Sequence, residues 1–359
     1  MSEIEKRTEG ADKALQQGMT AVECAGGDTR KIDGAGSTGA GGDADIMMQA
    51  LHVTKIYPAS GKRSLVANYD ISLQLRRGET LGLVGESGCG KSTFMRMLLA
   101  LDRPTSGQIL LHGVDISKLH GEELRQARRH IQMVFQDPSG SFNPKMRIRD
   151  IVCEPLLNFD LIKPEQKSET ARRLLEMVEL PGDFEDRYPH NMSGGQRQRV
   201  AIARALALEP EILIMDEATA ALDVSVQKTI IELIVRLQKE KNLTIGFICH
   251  DMALVQSMAH RVAVMYLGNL VEVMPGENLS HIASHPYTKA LIGAVLDLNT
   301  DPTKPIESID SEAPSPLNAP KGCPFRDRCD HCMEICTKEK PKMKWLLPEH
   351  GVACHLFDS

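Results

Sequence analysis

Short apolar runs and amphipathic stripes alternate along the chain from about residue 46 onward. β-rich runs lie at 51–57, 71–76 and 80–84. Ser72-Leu73-Gln74-Leu75 alternates as a half-buried strand does, whereas Thr80-Leu81-Gly82-Leu83-Val84 is continuous enough for a strand covered on both faces. Residues 91–101 are compatible with a helix. In 165–180 the positions Ala171, Leu174, Leu175 and Val178 form one helical stripe, and in 224–238 Val226, Ile230, Leu233, Ile234 and Leu237 form another. Between them lie two apolar runs, Ile212-Leu213-Ile214-Met215 and 243–249. Strands alternating with helices predict an α/β core with a largely parallel sheet.

The two ends break this pattern. Residues 1–47 hold nine of the 28 glycines and no apolar periodicity, which predicts a flexible tail. Pro302, Pro305, Pro314, Pro316, Pro320 and Pro324 mark 301–324 as a linker into a cysteine-rich end. The expected organisation is therefore a tail at 1–47, a core at 48–300 and an extension at 301–359.

Composition narrows the class. A chain of 359 residues is long enough for about two domains, and 42% hydrophobic with 25% charged residues is globular. No apolar run of about 18 residues is present to span a bilayer, and the start lacks a secretory pattern, so the expected location is the cytosol. Of the net charge of -6, four negative charges fall in 1–47, which carries nine acidic and five basic side chains. The near-balanced remainder offers no basic footprint for nucleic acid or anionic lipid.

Gly85-Glu86-Ser87-Gly88-Cys89-Gly90-Lys91-Ser92-Thr93 fits G-x-x-x-x-G-K-[ST] between the buried run at 80–84 and a helix-compatible segment. Its glycines let backbone N–H groups turn inward around phosphate oxygens, and the helix that follows presents its positive end. Lys91 is expected to reach the β- and γ-phosphates and the Ser92 hydroxyl to coordinate Mg²⁺. Cys89 sits where a thiol pKa can be lowered, so a redox switch stands beside the plainer reading of a tolerated small residue. The run 212–215 ends in Asp216 and Glu217. A metal-nucleotide site needs one acid for Mg²⁺ and one to orient water, so Asp216 is assigned to the metal and Glu217 to the general base.

Met192-Ser193-Gly194-Gly195-Gln196-Arg197-Gln198-Arg199 resembles the signature motif of ABC-type ATPases. Ser193 is a good N-cap, and Gly194 and Gly195 leave the helix amides accessible to an anion. The resemblance implies that this anion is the γ-phosphate of ATP held by the opposite subunit, with Gln196 in the same face. It further implies that Gln136 in Val134-Phe135-Gln136-Asp137-Pro138 is the Q-loop glutamine that contacts Mg²⁺ or water. Ala221-Leu222-Asp223 is similar to the D-loop, His250 to the switch histidine, and Tyr57 to the aromatic that stacks on adenine. The implied fold is a P-loop ABC ATPase core with a β-rich N-terminal subdomain and a helical subdomain.

The subfamily resemblance rests on Arg187-Tyr188-Pro189-His190, Leu222-Asp223-Val224-Ser225, Met265-Tyr266-Leu267-Gly268, His285-Pro286-Tyr287-Thr288 and Gly322-Cys323-Pro324-Phe325-Arg326. These are similar to the oligopeptide/dipeptide importer ATPases, with Ala218 replacing a proline and Asn191 a glutamate. Implied partners are two membrane permease subunits, a sibling ATPase or a second copy, and an extracytoplasmic binding protein, with the chain peripheral at the cytoplasmic membrane face. Peptide uptake is the expected function. A related importer, as for nickel, and a non-transport ABC ATPase acting on DNA or ribosomes are the alternatives.

Five of nine cysteines fall in the last 37 residues, and Cys323, Cys329, Cys336 and Cys354 stand at C-x5-C-x6-C-x17-C with Cys332 as a fifth. So short a segment ordinarily needs a metal or another staple. Four thiolates suit an iron–sulfur cluster or zinc, and packed reduced thiols are the plain alternative. The resemblance implies [4Fe-4S] at those four positions.

Overall fold

Strands form where the apolar pattern is continuous or has period two, and helices where a stripe recurs. The computed structural model describes residues 45–58, 64–218, 222–249, 251–294 and 321–358. The predicted tail up to residue 44, the linker from 301 to 320, Ala221 and His250 lie outside the described residues. The elements begin with β1 (Ile46–Pro58), β2 (Ser64–Arg76), β3 (Thr80–Val84), α1 (Lys91–Leu98), β4 (Ser106–Leu111), β5 (Val114–Asp115) and α2 (Gly121–Arg129). Next come β6 (Ile131–Val134), α3 (Ile148–Asn158), α4 (Lys167–Met177), α5 (Gly194–Leu206), β7 (Ile212–Asp216), α6 (Val224–Lys241) and β8 (Thr244–Ile248). The chain ends with α7 (Met252–Met258), β9 (Arg261–Tyr266), β10 (Asn269–Pro275), α8 (Pro286–Gly293), α9 (Glu334–Lys338), β11 (Lys344–Leu347) and β12 (His350–Val352).

Two units result, Met1–Leu124 with Ile248–Ser359, and Arg125–Phe247. The first contains an antiparallel sheet in the order β2-β1-β4-β5 and a mixed run β11-β12-β10-β9-β3. Only β3 and β9 pair in parallel there; the other three pairings are antiparallel. The expectation of a largely parallel sheet is corrected at this point. Leu267 and Gly268, at φ 43 and 75, reverse the chain between β9 and β10 in two residues, and so short a connection admits only an antiparallel partner. A leucine in a position that usually carries Asn or Gly hid this turn from the pattern.

The second unit contains strands in the order β8-β7-β6, with β6 and β7 parallel, and the helices α3, α4 and α5 packed together. Ala171, Leu174, Leu175 and Val178 are all buried, as the stripe predicts. On α6, Ile230, Leu233, Ile234 and Leu237 are buried too. Each such side chain contributes about 1.5–3 kcal/mol on leaving water.

In the first unit β3 is buried at every position. A Cβ on Gly82 would lie 2.5 Å from Val255 Cγ1, so α7 rests directly on this strand. Beneath β3 lies a buried ion pair. Arg261 donates from Nη2 to Glu79 Oε1 at 2.6 Å and from Nε to Oε2 at 2.9 Å, and Nη2 also reaches the Gln74 carbonyl at 2.7 Å. The pair joins β9 to the end of β2 and sets the level from which β3 departs toward the P-loop. No helix among the described residues is long and apolar enough to cross a membrane.

Glu79→Ala would strand the Arg261 guanidinium in the interior and lower stability by about 3–5 kcal/mol. Urea unfolding of the chain measures this; a loss no larger than a surface substitution produces would remove the pair from its anchoring role.

Candidate functional site

The P-loop takes its shape from glycines that neighbours press against. Gly85 has φ +147, and a Cβ there would lie 2.2 Å from the Met265 carbonyl oxygen. Gly90 has φ +102, and a Cβ on it would come just as near to the Ala67 carbonyl oxygen, at 2.2 Å. Lys91 is buried and folds back so that Nζ donates to Gly85 O at 2.7 Å and Glu86 O at 2.9 Å. An ammonium thus sits at the centre of the loop. The helix α1 starts after Gly90 with no side-chain cap, leaving its first-turn amides for an anion. Ser87, Gly88 and Ser92 are exposed, and Thr93 is half-buried.

Residues far along the chain brace this loop. Gly268 N–H donates to Cys89 O at 2.9 Å, and Asn68 Nδ2 to Gly90 O at 3.2 Å. The Tyr287 hydroxyl accepts from Glu86 N–H at 2.9 Å, and Arg328 Nη1 donates to Glu86 Oε2 at 2.9 Å. Sequence reading quoted the stretches around Gly268 and Tyr287 only as resemblances and missed Arg328 and Asn68. Their signal lies in chain reversal and not in spacing. Burial pushes the Cys89 thiol up, outweighing Lys91 beside it, opposite to the lowering that a redox switch there calls for. The Tyr57 hydroxyl donates to Asp102 Oδ2 at 3.3 Å and also bonds Thr93, which brings the predicted adenine-stacking ring beside the P-loop helix.

In the second unit Gln136 Nε2 donates to Glu217 Oε2 at 2.9 Å. The structure therefore joins the predicted Q-loop amide to the predicted base. Glu217 leaves the end of β7 at φ 45, next to the half-buried Asp216. Ser193 and Gln196 form a reciprocal capping box at the start of α5, with Gln196 N–H on Ser193 Oγ at 3.3 Å and Ser193 N–H on Gln196 Oε1 at 3.0 Å. Gly195 has a second duty beyond an accessible amide. A Cβ there would meet Val226 Cγ1 at 2.6 Å, so glycine also lets α5 approach α6. Asp223 precedes α6, yet its side chain is exposed and forms no cap.

The tail cysteines gather without closing on an ion. Cys323, Cys336 and Cys354 are buried, Cys329 is half-buried and Cys332 exposed, all as free thiols. Burial pushes Cys323 up to about 12, with added repulsion from Cys336, Cys354 and Cys329. Cys354 rises for the same reasons. The donor chemistry suits a soft metal, but among the described residues no group of three or more His, Cys, Asp or Glu side chains is placed to hold one. The positions implied for an iron–sulfur cluster or zinc are thus neighbours in this structure and not a formed ligand set.

Comparison with known proteins agrees with this geometry. Residues 69–220 match the ABC transporter family, and 271–336 match the oligopeptide/dipeptide transporter C-terminal region. The chain is 47% identical over 290 residues to the oligopeptide transport ATP-binding protein AppF of Bacillus subtilis (strain 168), covering 80% of this chain and 88% of that one. It is 41% identical to the di/tripeptide transport ATP-binding protein DppF of Pseudomonas aeruginosa (strain UCBPP-PA14), over 87% of this chain and 98% of the other. Among solved structures, the dimeric ATP-binding cassette MJ0796 in a post-hydrolysis state with ADP and Pi superposes with a TM-score of 0.59 at 31% identity, covering 65% of this chain and all of that one. A P-loop, a capped signature helix and a strand-end carboxylate define an ATP-hydrolysing cassette. The chain belongs to the ABC transporter ATP-binding proteins of the oligopeptide/dipeptide type.

The brace from α8 carries a pH signature. His285 caps α8 by accepting from Tyr287 N–H on Nδ1 at 3.1 Å, and its backbone N–H donates to the buried Glu272 at 3.2 Å. Burial lowers the His285 pKa to about 3. Below pH ~6.5 the unfolded chain gains a proton that the folded chain refuses. The contribution is complete above that pH and shrinks by about 1.4 kcal/mol per unit as pH falls toward the folded value. Thermal melts from pH 7 to 5 are expected to show a shallower decline for His285→Asn, which keeps a capping acceptor; equal slopes would assign the acid sensitivity elsewhere.

Proposed function

We propose that this ATPase works at the cytoplasmic face of a membrane and energises uptake of short peptides through two separate permease subunits. Lys91 and the P-loop amides bind the phosphates and stabilise the charge that develops on the transferred group. In this reading Ser92, Asp216 and Gln136 would hold Mg²⁺, which would supply further neutralisation of phosphate charge. The observation that carries the catalytic assignment is the hydrogen bond from Gln136 to Glu217, which orients a carboxylate as a base for water. His250 completes the γ-phosphate contacts in this reading, and Tyr57 stacks on adenine. Ser193, Gly194, Gly195, Gln196 and Asp223 act on nucleotide held by a second cassette, either a sibling or a copy.

Peptide as the cargo is supported by the relatives named for oligopeptide and di/tripeptide transport, and by the C-terminal region match. An extracytoplasmic binding protein delivers the peptide in this scheme. A further part of the reading, carried by the C-x5-C-x6-C-x17-C spacing and not by the arrangement of the thiols, is a soft metal that Cys323, Cys329, Cys336 and Cys354 would close around.

In the assembled transporter Glu217→Gln should keep MgATP binding and lose about 10²–10⁴-fold in phosphate release, with peptide uptake lost alongside. Near wild-type release would take the base role from Glu217. Anaerobically purified chain is expected to contain iron with sulfide, or zinc, at one site per chain, and to lose it on Cys336→Ser. Metal-free protein with its tail folded and all thiols titratable would end the metal assignment.

A further inference from the structure

Glu86 follows the first glycine of the P-loop, and its amide N–H, carbonyl and carboxylate are each held. The N–H donates to the Tyr287 hydroxyl at 2.9 Å, the carbonyl accepts from Lys91 at 2.9 Å, and the carboxylate accepts from Arg328 at 2.9 Å. Two of these partners come from the chain's far end, 201 and 242 positions later. The Arg328 side chain is 5% exposed and bridges Glu86 to the Tyr266 hydroxyl, which it meets at 3.2 Å. The guanidinium carbon lies 5.7 Å from the Tyr266 ring centroid, and that ring packs with Tyr287 and Phe325 at centroid separations of 4.6 and 5.2 Å.

A guanidinium enclosed in this way is not an exposed surface pair. Its charge acts with little screening on the Glu86 carboxylate within the P-loop. Left uncompensated, that carboxylate would repel an anionic nucleotide. We infer that Arg328 and Tyr287 are positioning residues for the nucleotide: Arg328, from the segment after residue 321, neutralises the Glu86 carboxylate, Tyr287, from α8, fixes its amide, and together they set the affinity of the P-loop for ATP.

The inference rests on the ATPase reading, and the test separates the two. MgATP affinity of the full chain and KM and kcat of the assembled transporter are compared for wild type, Arg328→Met, Arg328→Lys and Arg328→Met with Glu86→Gln. Arg328→Met is expected to weaken MgATP binding at least about tenfold and to raise KM more than it lowers kcat. Arg328→Lys keeps the charge and should lose less. Adding Glu86→Gln removes the repelling carboxylate and should recover most of the affinity, a rescue that a merely structural arginine would not show. Wild-type affinity in Arg328→Met, or no recovery in the double variant, overturns the inference while leaving the ATPase reading intact. Wild-type chain that binds no MgATP overturns both. Should Arg328→Met fail to fold, Tyr287→Phe carries the test by removing one oxygen from a buried ring. Faster amide exchange at 85–90 with weaker MgATP binding is then expected, and no change in either overturns the inference.

Discussion

The Lys91 ammonium, enclosed by the carbonyls of Gly85 and Glu86, is the contact on which the first unit's site depends. A backbone turned so that its amides face inward must direct its carbonyls elsewhere, and here two of them face a cation of their own loop. That arrangement tolerates no side chain at Gly85, because β9 stands against it through the Met265 carbonyl. The parallel pairing of β3 with β9 therefore does more than extend a sheet. It sets the wall against which the phosphate cradle is formed, and the Glu79–Arg261 pair holds the base of that wall.

Stretches quoted for their family likeness prove to be structural parts of the same loop. Met265-Tyr266-Leu267-Gly268 is the hairpin between β9 and β10, and the Gly268 amide bonds to the P-loop at Cys89. His285-Pro286-Tyr287-Thr288 is a capped helix start that sends a hydroxyl to Glu86. Phe325 packs edge-on against Tyr266, the ring beside Arg328. The C-terminal residues thus belong physically to the surroundings of the P-loop as well as to the cysteine-rich end. In the second unit the logic is simpler, since Gln136 and Glu217 meet across one pair of adjacent strand ends and Gly195 lets two helices approach.

Much of the fold was legible because burial imposes periodicity. Leu73 and Leu75 face inward on β2 and the stripes of α4 and α6 are buried, since each period places those side chains on one face. The antiparallel character of β9 to β12 was not legible. A left-handed leucine starts the reversal, and the tail strands are short, with Trp345, Leu346 and Leu347 left exposed. A metal in the tail was read from cysteine crowding, the shortness of the segment and a family likeness, none of which says where thiols point.

By itself the sequence picked out the candidate phosphate-site residues, because a P-loop, a capped signature helix and a strand ending in Asp216 and Glu217 are local features written in consecutive residues. It also determined the burial pattern of β2, β3, α4 and most of α6. Only the tertiary structure decided what braces those features. Arg328, Tyr287 and Gly268 reach the P-loop across 242, 201 and 179 positions, distances at which no helical or strand period operates. Contacts of that kind arise when sheets pair and side chains pack, and both depend on the whole chain being folded.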